Sequence, residues 1–237
     1  MWLILNSIQW LLILIVTIIC GPIAMLIALV SPKTSFFFSK HVWARMFCIL
    51  AGANIQIKNR ERIANLDEHV IFCSNHQSNY DIIAIYRSAI NPIYFIAKKE
   101  LKNLPFIGWY ISTIGMIFID RSNREKAMES MKEAGRLIKT GKDVITFPEG
   151  TRSRTGELQM FKRGSFIIAK TSNIKIIPVG IAGSYKINPP KSFQLRPGKI
   201  TVNFGEPINP ENYSNYSPEK LADLTKEKVA QLIEESK

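Results

Sequence analysis

The 237-residue chain is 46% hydrophobic and 21% charged, a balance that allows one globular domain with a sizeable core and excludes a largely disordered protein. Lys and Arg outnumber Asp and Glu by 31 to 19, and only the last 27 residues run acidic, so the basic excess lies in the body. Such a field suits nucleic acid, anionic lipid headgroups or phosphorylated substrates, and the apolar N-terminus selects membrane lipids over nucleic acid.

No charged residue or histidine occurs from Met1 to Pro32, and as one straight helix this run would reach about 48 Å at ~1.5 Å per residue, beyond the ~30 Å of hydrocarbon in a bilayer. Pro22 lacks an amide donor and clashes with the preceding turn, so a kink or turn is expected at Gly21-Pro22. Two readings follow: a single span over about residues 2–20 with a short continuation, or two helices that enter one leaflet and return. A cleaved signal peptide fits poorly, because Met1-Trp2-Leu3 offers no positive n-region. Lys33, Lys40 and Arg45 follow the apolar run, which places the remainder on the cytoplasmic side of a cell membrane. Residues 34–51, rich in Phe and Trp, read as an amphipathic helix that either sits in the interface or packs on the domain.

After residue 53, β-rich runs alternate with helical ones. Strands are expected at Ile55–Lys58, Val70–Cys73, Ile93–Ala97, Met116–Ile119, Val144–Phe147, Lys175–Ile181 and Lys199–Phe204, with helices at about 79–89, 104–113, 123–139, 164–171 and in the C-terminal segment. The expected fold is α/β: a single domain over residues 53–237 with a central mixed sheet flanked by helices, preceded over residues 1–52 by hydrophobic membrane-anchoring helices. The Pro-rich stretch Asn188–Pro197 reads as a surface loop. Leu101 to Ile117, with Phe106, Trp109 and Tyr110, reads as an apolar wall or as core.

Cys20, Cys48 and Cys73 sit in apolar surroundings at neither zinc-ligand nor redox spacing, and His41, His69 and His76 are too scattered for a metal site, so neither metal nor disulfide framework is expected. His76 nevertheless falls where chemistry is expected. Val70-Ile71-Phe72-Cys73 ends in Ser74-Asn75-His76, and Asp81 opens the apolar run Ile82–Tyr86, which puts His76 on a strand-to-helix turn. A spacing of five would separate the two side chains by about 140° within one helix, so they meet only if His76 precedes the helix. Ser78-x-x-Asp81 has the form of a capping box, with Ser78 at the N-cap and Asp81 at the third helical position. Asp81 could then orient the imidazole of a general base, or it could simply cap the helix.

A second strand stops at Pro148, and Glu149-Gly150-Thr151-Arg152-Ser153 follows. Gly150 permits an unusual backbone, Thr151 adds a hydroxyl and Arg152 offers a planar fork that grips phosphate oxygens in pairs. Phe161-Lys162-Arg163-Gly164 then precedes a short helix, whose N-terminus favours anions. Lys98 and Arg121 each follow a strand and could join Arg152 around one anion, or be ordinary surface charge.

Taken in order, Asn75-His76-x4-Asp81, Ile117-Phe118-Ile119-Asp120-Arg121, Phe147-Pro148-Glu149-Gly150-Thr151-Arg152-Ser153 and Ile177-Pro178-Val179 closely resemble the four motifs of the glycerolipid acyltransferases, and among them those that act on 1-acylglycerol 3-phosphate. The resemblance covers about residues 70–182. It implies transfer of a fatty acyl group from acyl-CoA or acyl-acyl carrier protein to the 2-hydroxyl of lysophosphatidic acid, giving phosphatidic acid, with these thioesters as co-substrates and no cofactor. It makes His76 the catalytic base and Asp81 its partner, assigns Glu149, Gly150, Thr151 and Arg152 to the acceptor site, and lets Arg121 and Lys98 share the phosphate. Ile177-Pro178-Val179 would be structural or acyl-contacting. The family's N-terminal two-helix membrane element fits residues 2–51 and favours the re-entrant reading. No Gly-x-Ser-x-Gly elbow and no Gly-x4-Gly-Lys-Ser/Thr loop occurs, which disfavours a lipid hydrolase or an NTPase. The remaining rivals are an acyltransferase for glycerol 3-phosphate or another lysolipid, and a non-catalytic protein that binds anionic lipid.

Overall fold

A computed structural model describes residues 2–120 and 123–237; Arg121 lies outside the described residues. Strands form at Ala53–Lys58 (β1), Ile71–Ser74 (β2), Ile93–Lys98 (β3), Ile117–Ile119 (β4), Asp143–Thr146 (β5), Ile176–Ala182 (β6) and Gly198–Phe204 (β7). They pair in the order β1-β7-β6-β2-β5-β3-β4, parallel throughout except where β6 meets β7. The sheet is therefore mixed, as the sequence implied, and all seven expected strands are present with ends shifted by a residue or two.

Helices cover both faces. Tyr80–Ser88 (α4) follows β2, Ile107–Thr113 (α5) follows β3, Arg124–Lys139 (α6) follows β4 and Gly164–Ser172 (α7) follows β5; Ser184–Ile187 (α8), Pro210–Tyr213 (α9) and Pro218–Glu234 (α10) complete the domain. Alternation along the buried strands feeds two cores: Val70 and Phe72 point to the side of α4, Ile71 and Cys73 to the side of α6, α7 and α10. Period-2 alternation with both faces covered gives the continuous apolar run seen in the sequence. Pro178 is tolerated inside β6 because its carbonyl accepts from the Gly205 N–H, on the β7 side; nitrogen and carbonyl of one strand residue point the same way, so the missing donor costs the β2 ladder nothing.

Ahead of the sheet stand Trp2–Val30 (α1), Pro32–Phe38 (α2), a π-helical turn at Ser39–Trp43, and Ala44–Ala51 (α3). Of the kink or turn expected at Gly21-Pro22, the turn does not occur: α1 runs through Pro22, and the chain turns instead at Ser31. There Ser31 is extended, its hydroxyl accepts the Thr34 N–H at 3.2 Å, and Pro32 occupies the first helical turn. A capping serine followed by proline defines a helix start, whereas no capping side chain precedes Pro22. Ser35 then donates to the Ala24 carbonyl at 2.6 Å, folding α2 back along α1.

Asn6, Ile13, Thr17, Cys20, Ala24 and Ala28 form the one buried stripe of α1. Its docking is specific: Asn6 donates to the Leu195 carbonyl, Trp10 to the Phe193 carbonyl and Gln9 to the Leu50 carbonyl, at 2.9, 2.7 and 2.8 Å. The Pro-rich loop thus serves as a cradle for α1. Farther along, Gly21 lies so close to Phe106 that an added Cβ would sit 3.1 Å from its Cβ. The opposite face exposes Leu3, Ile8, Leu11, Ile15, Leu26 and Leu29. The arm from α2 to α3 packs largely on the domain, with Phe36 buried against Tyr86, while Val42 and Ile49 stay exposed. The stretch after β3 divides: Tyr110 is core and its hydroxyl accepts from Ser39, whereas Leu104, Ile107 and Trp109 are exposed.

Candidate active site

His76 and Arg152 follow the C-terminal ends of β2 and β5, which are hydrogen-bonded neighbours, in the crevice where open α/β sheets place their ligands. Asn75 anchors the turn. Its side-chain amide donates to the Ile181 carbonyl and its side-chain oxygen accepts the Ile181 N–H, both at 2.8 Å, so it extends the pairing of β2 with β6 past the end of the strand.

The main chain of His76 is held at both ends by the β5 loop. Its N–H donates to Glu149 Oε1 at 2.8 Å, and its carbonyl accepts the Ser153 N–H at 2.8 Å. The ring stacks on Phe147, with centroids 4.1 Å apart and planes 16° from parallel. Asp81 Oδ2 lies 2.8 Å from His76 Nδ1 and also accepts the N–H groups of Gln77 and Ser78, at 2.6 and 2.8 Å. A carboxylate surrounded by donors is an acceptor only, which assigns the proton to Nδ1. Nε2 has no protein partner among the described residues, and the side chain retains 16% exposure.

The capping box is half formed. Asp81 reaches back to the Ser78 N–H, but Ser78 Oγ accepts from Tyr80 rather than Asp81 and donates to the Asn188 carbonyl. The helix accordingly starts one residue later than the motif suggests, at Tyr80. That shift lets Asp81 serve the turn and the imidazole together.

Arg152 Nη1 donates to Asn79 Oδ1 at 2.8 Å, crossing from the β5 loop to the start of α4. Its partner is a neutral amide, so the guanidinium charge remains available. Gly150 has φ +77°, a backbone that favours glycine, and the Lys162 ammonium lies close by, 2.7 Å from where a Cβ would sit. Thr151 is exposed beside them. Lys98 pairs with Glu100 at 3.2 Å, both about half exposed.

Glu149 is 2% exposed, so its carboxyl acts on the His76 backbone from inside the protein. Burial pushes it up to about 7, opposed by the N–H groups of His76 and Gln159. A carboxyl raised on folding stabilises the protein below its unfolded value, and that contribution is lost as pH rises through the folded value. Between pH 4.5 and about 7 the wild type should therefore lose stability relative to Glu149→Gln, by up to about 3 kcal/mol at ~1.4 kcal/mol per unit. Urea midpoints of both proteins at pH 5 and pH 8 check this; a gap that does not change with pH would show that Glu149 is not a buried acid. No metal-ligating cluster of His, Cys, Asp and Glu exists among the described residues.

The sequence profile of the Acyltransferase family matches residues 54–182, more than half of the chain. The 1-acyl-sn-glycerol-3-phosphate acyltransferase of Saccharomyces cerevisiae is 31% identical over 190 residues, covering 79% of this chain and 62% of that protein. The enzyme of the same name from Haemophilus influenzae is 34% identical over 171 residues, covering 70% of each chain. This chain thus spans about three fifths of the yeast relative's length. A crystal structure of the 1-acyl-sn-glycerophosphate (LPA) acyltransferase PlsC from Thermotoga maritima superposes with a TM-score of 0.85 at 26% identity, over 99% of this chain and 95% of that one. With a histidine held by its backbone, its ring face and its Nδ1 proton inside the matched segment, the chain belongs to the acyltransferase family.

Proposed function

We propose that the protein transfers a fatty acyl group from a thioester, acyl-CoA or acyl-acyl carrier protein, to the 2-hydroxyl of 1-acylglycerol 3-phosphate, forming phosphatidic acid. The observation that carries this reading is the state of His76: Nδ1 is committed to Asp81, while Nε2 meets no partner among the described residues. Nε2 accepts the proton of the lipid hydroxyl as that oxygen attacks the thioester carbonyl. Asp81 stabilises the imidazolium, the thiolate leaves, and the proton passes from Nε2 to the thiolate or to water. No protein nucleophile is needed, since the acceptor brings its own. The relatives from Saccharomyces cerevisiae and Haemophilus influenzae carry the name of this activity, which supports the choice of acceptor.

Purified protein assayed against lysophosphatidic acid, glycerol 3-phosphate and uncharged lysolipids, with each thioester donor, tests the proposal. Lysophosphatidic acid should be the preferred acceptor, and preference for an acceptor without phosphate would overturn the reading. Arg152 binds the acceptor phosphate in this scheme. Charge-assisted hydrogen bonds of this kind contribute about 1.5–3 kcal/mol, so Arg152→Ala should raise the acceptor KM by roughly ten- to hundredfold and leave the donor KM unchanged. A rise confined to the donor KM would contradict the phosphate role.

The substrates are membrane lipids, and α1 supports a place for the enzyme on the cytoplasmic face of the cell membrane. Its length and composition suffice to cross a bilayer, with mean hydropathy 2.9 over its most apolar window. The domain nevertheless touches it from Asn6 to Gly21, about 22 Å at ~1.5 Å per residue. An upright span would drag that flank of the domain into hydrocarbon. A helix lying in the interface, its leucine and isoleucine face in lipid and α2 folded back beside it, avoids this cost.

A further inference from the structure

Five cationic or basic side chains gather where the N-terminal arm meets the sheet edge, away from the catalytic turn. Lys40, His41 and Arg45 come from the arm, Arg60 from the turn after β1 and Arg87 from the last turn of α4. They are close enough to disturb one another: burial lowers Lys40 to about 8, with Arg60 and Arg87 pushing the same way. His41 is lowered by burial first, with Lys40, Arg87 and Arg45 pushing the same way. Among the described residues none of the five pairs with a carboxylate. Lys40 donates to the Ala89 carbonyl and Arg87 to the Lys40 carbonyl, so both are satisfied by main chain and their charge is left uncompensated. Basic side chains at this density without acidic partners repel one another, and an anion relieves that repulsion.

A space for the anion exists beside them. Between α3, β1 and α4 opens a cleft of about 340 Å³, lined by Arg45 and Arg87 with Cys48, Ile49, Asn54 and Ile55, and no acidic residue lines it. That volume lies within the usual range for small-ligand sites. One wall, α3, is tied to α1 through the Gln9 bond to the Leu50 carbonyl, and its Ile49 is exposed next to the cleft. The cleft is thus lined by Arg45 and Arg87, with the exposed Ile49 beside them, on a helix that is tied to the apolar α1.

We propose that this cleft binds the phosphate-bearing headgroup of an anionic phospholipid from the surrounding bilayer, gripped between Arg45 and Arg87. The site is separate from the acceptor site at Arg152. Tyr80, beside the catalytic turn, and Arg87 are seven residues apart on α4, about 10 Å along its axis. The proposal rests on the membrane-facing reading of α1 and is independent of acyl transfer.

Native mass spectrometry of the full chain released from detergent micelles containing phosphatidylglycerol or phosphatidylcholine reads the site directly. The wild type should retain one phosphatidylglycerol in preference to phosphatidylcholine. Arg45→Gln should weaken that retention about fivefold, the effect of one basic group near an anionic surface at ~1 kcal/mol. Arg45 makes no structural hydrogen bond or ion pair among the described residues, so the fold should persist, checked by circular dichroism. Lys228→Gln on α10 makes the same change in net charge at a remote place and should retain the lipid. Equal retention by Arg45→Gln, equal loss in Lys228→Gln, or no distinction between the two lipids would overturn the proposal. Displacement of phosphatidylglycerol by millimolar glycerol 3-phosphate would assign the cleft to a soluble phosphate and overturn the lipid source. Acyl transfer measured on the same samples reports the catalytic reading separately.

Discussion

Replacing His76 with alanine is expected to lower acyl transfer by about 10²- to 10⁴-fold while leaving the protein folded. The loss follows from general base catalysis, which contributes rate of this order when the base is positioned. The fold should survive because the turn is held by groups the substitution leaves in place. The N–H of residue 76 still meets Glu149, its carbonyl still accepts from Ser153, and Asn75 still pairs with Ile181. What is lost from the packing is the ring stacked on Phe147, about 1 kcal/mol. Initial rates with lysophosphatidic acid, together with urea midpoints, check both parts, and an alanine variant that turns over at the wild-type rate would remove His76 from the mechanism.

Asp81 combines both losses. Asp81→Ala should lose activity to a similar extent and also destabilise the protein by about 3 kcal/mol. Oδ2 accepts the buried N–H groups of Gln77 and Ser78 as well as the imidazole, and each orphaned donor costs about 1–3 kcal/mol. Asp81→Asn separates the two functions. Its side-chain oxygen can still accept from the turn, so stability should largely return, but the neutral amide cannot stabilise the imidazolium, so activity should not. An asparagine variant with wild-type rates would show that the charge of Asp81 is not needed. Histidine and aspartate thus divide by what they hold: His76 is held by the fold, and Asp81 holds it.

Much of this was readable along the chain. The strands were visible because buried β-segments in an α/β sheet are short, β-branched and bounded by turn residues, and the pairing of His76 with Asp81 was visible because it spans five residues. Where local chemistry competed, the reading went astray. Gly21-Pro22 looked like a turn because proline usually breaks helices, yet the break moved to Ser31, where a capping hydroxyl was available to complete it. Glu149 was grouped with the acceptor-binding residues by its motif, and the structure shows its carboxyl turned inward onto the backbone of His76. No local signal could have revealed this, because the two residues are 73 positions apart in sequence. The same distance separates Arg152 from Asn79, and the ring of Phe147 reaches His76 only because β2 and β5 are neighbours in the sheet.

The sequence by itself determined the alternation that makes an α/β sheet, the apolar N-terminus, and the residue types able to move a proton and grip a phosphate. Those properties reside in short windows, where hydrophobic period and turn chemistry act on neighbours. Only the tertiary structure decided which imidazole nitrogen meets Asp81, how the β5 loop clamps the β2 turn, and that Arg45 of the N-terminal arm meets Arg87 around a cleft. Each depends on groups brought together across the sheet, where burial, shared hydrogen bonds and uncompensated charge are set by strand order and not by spacing along the chain.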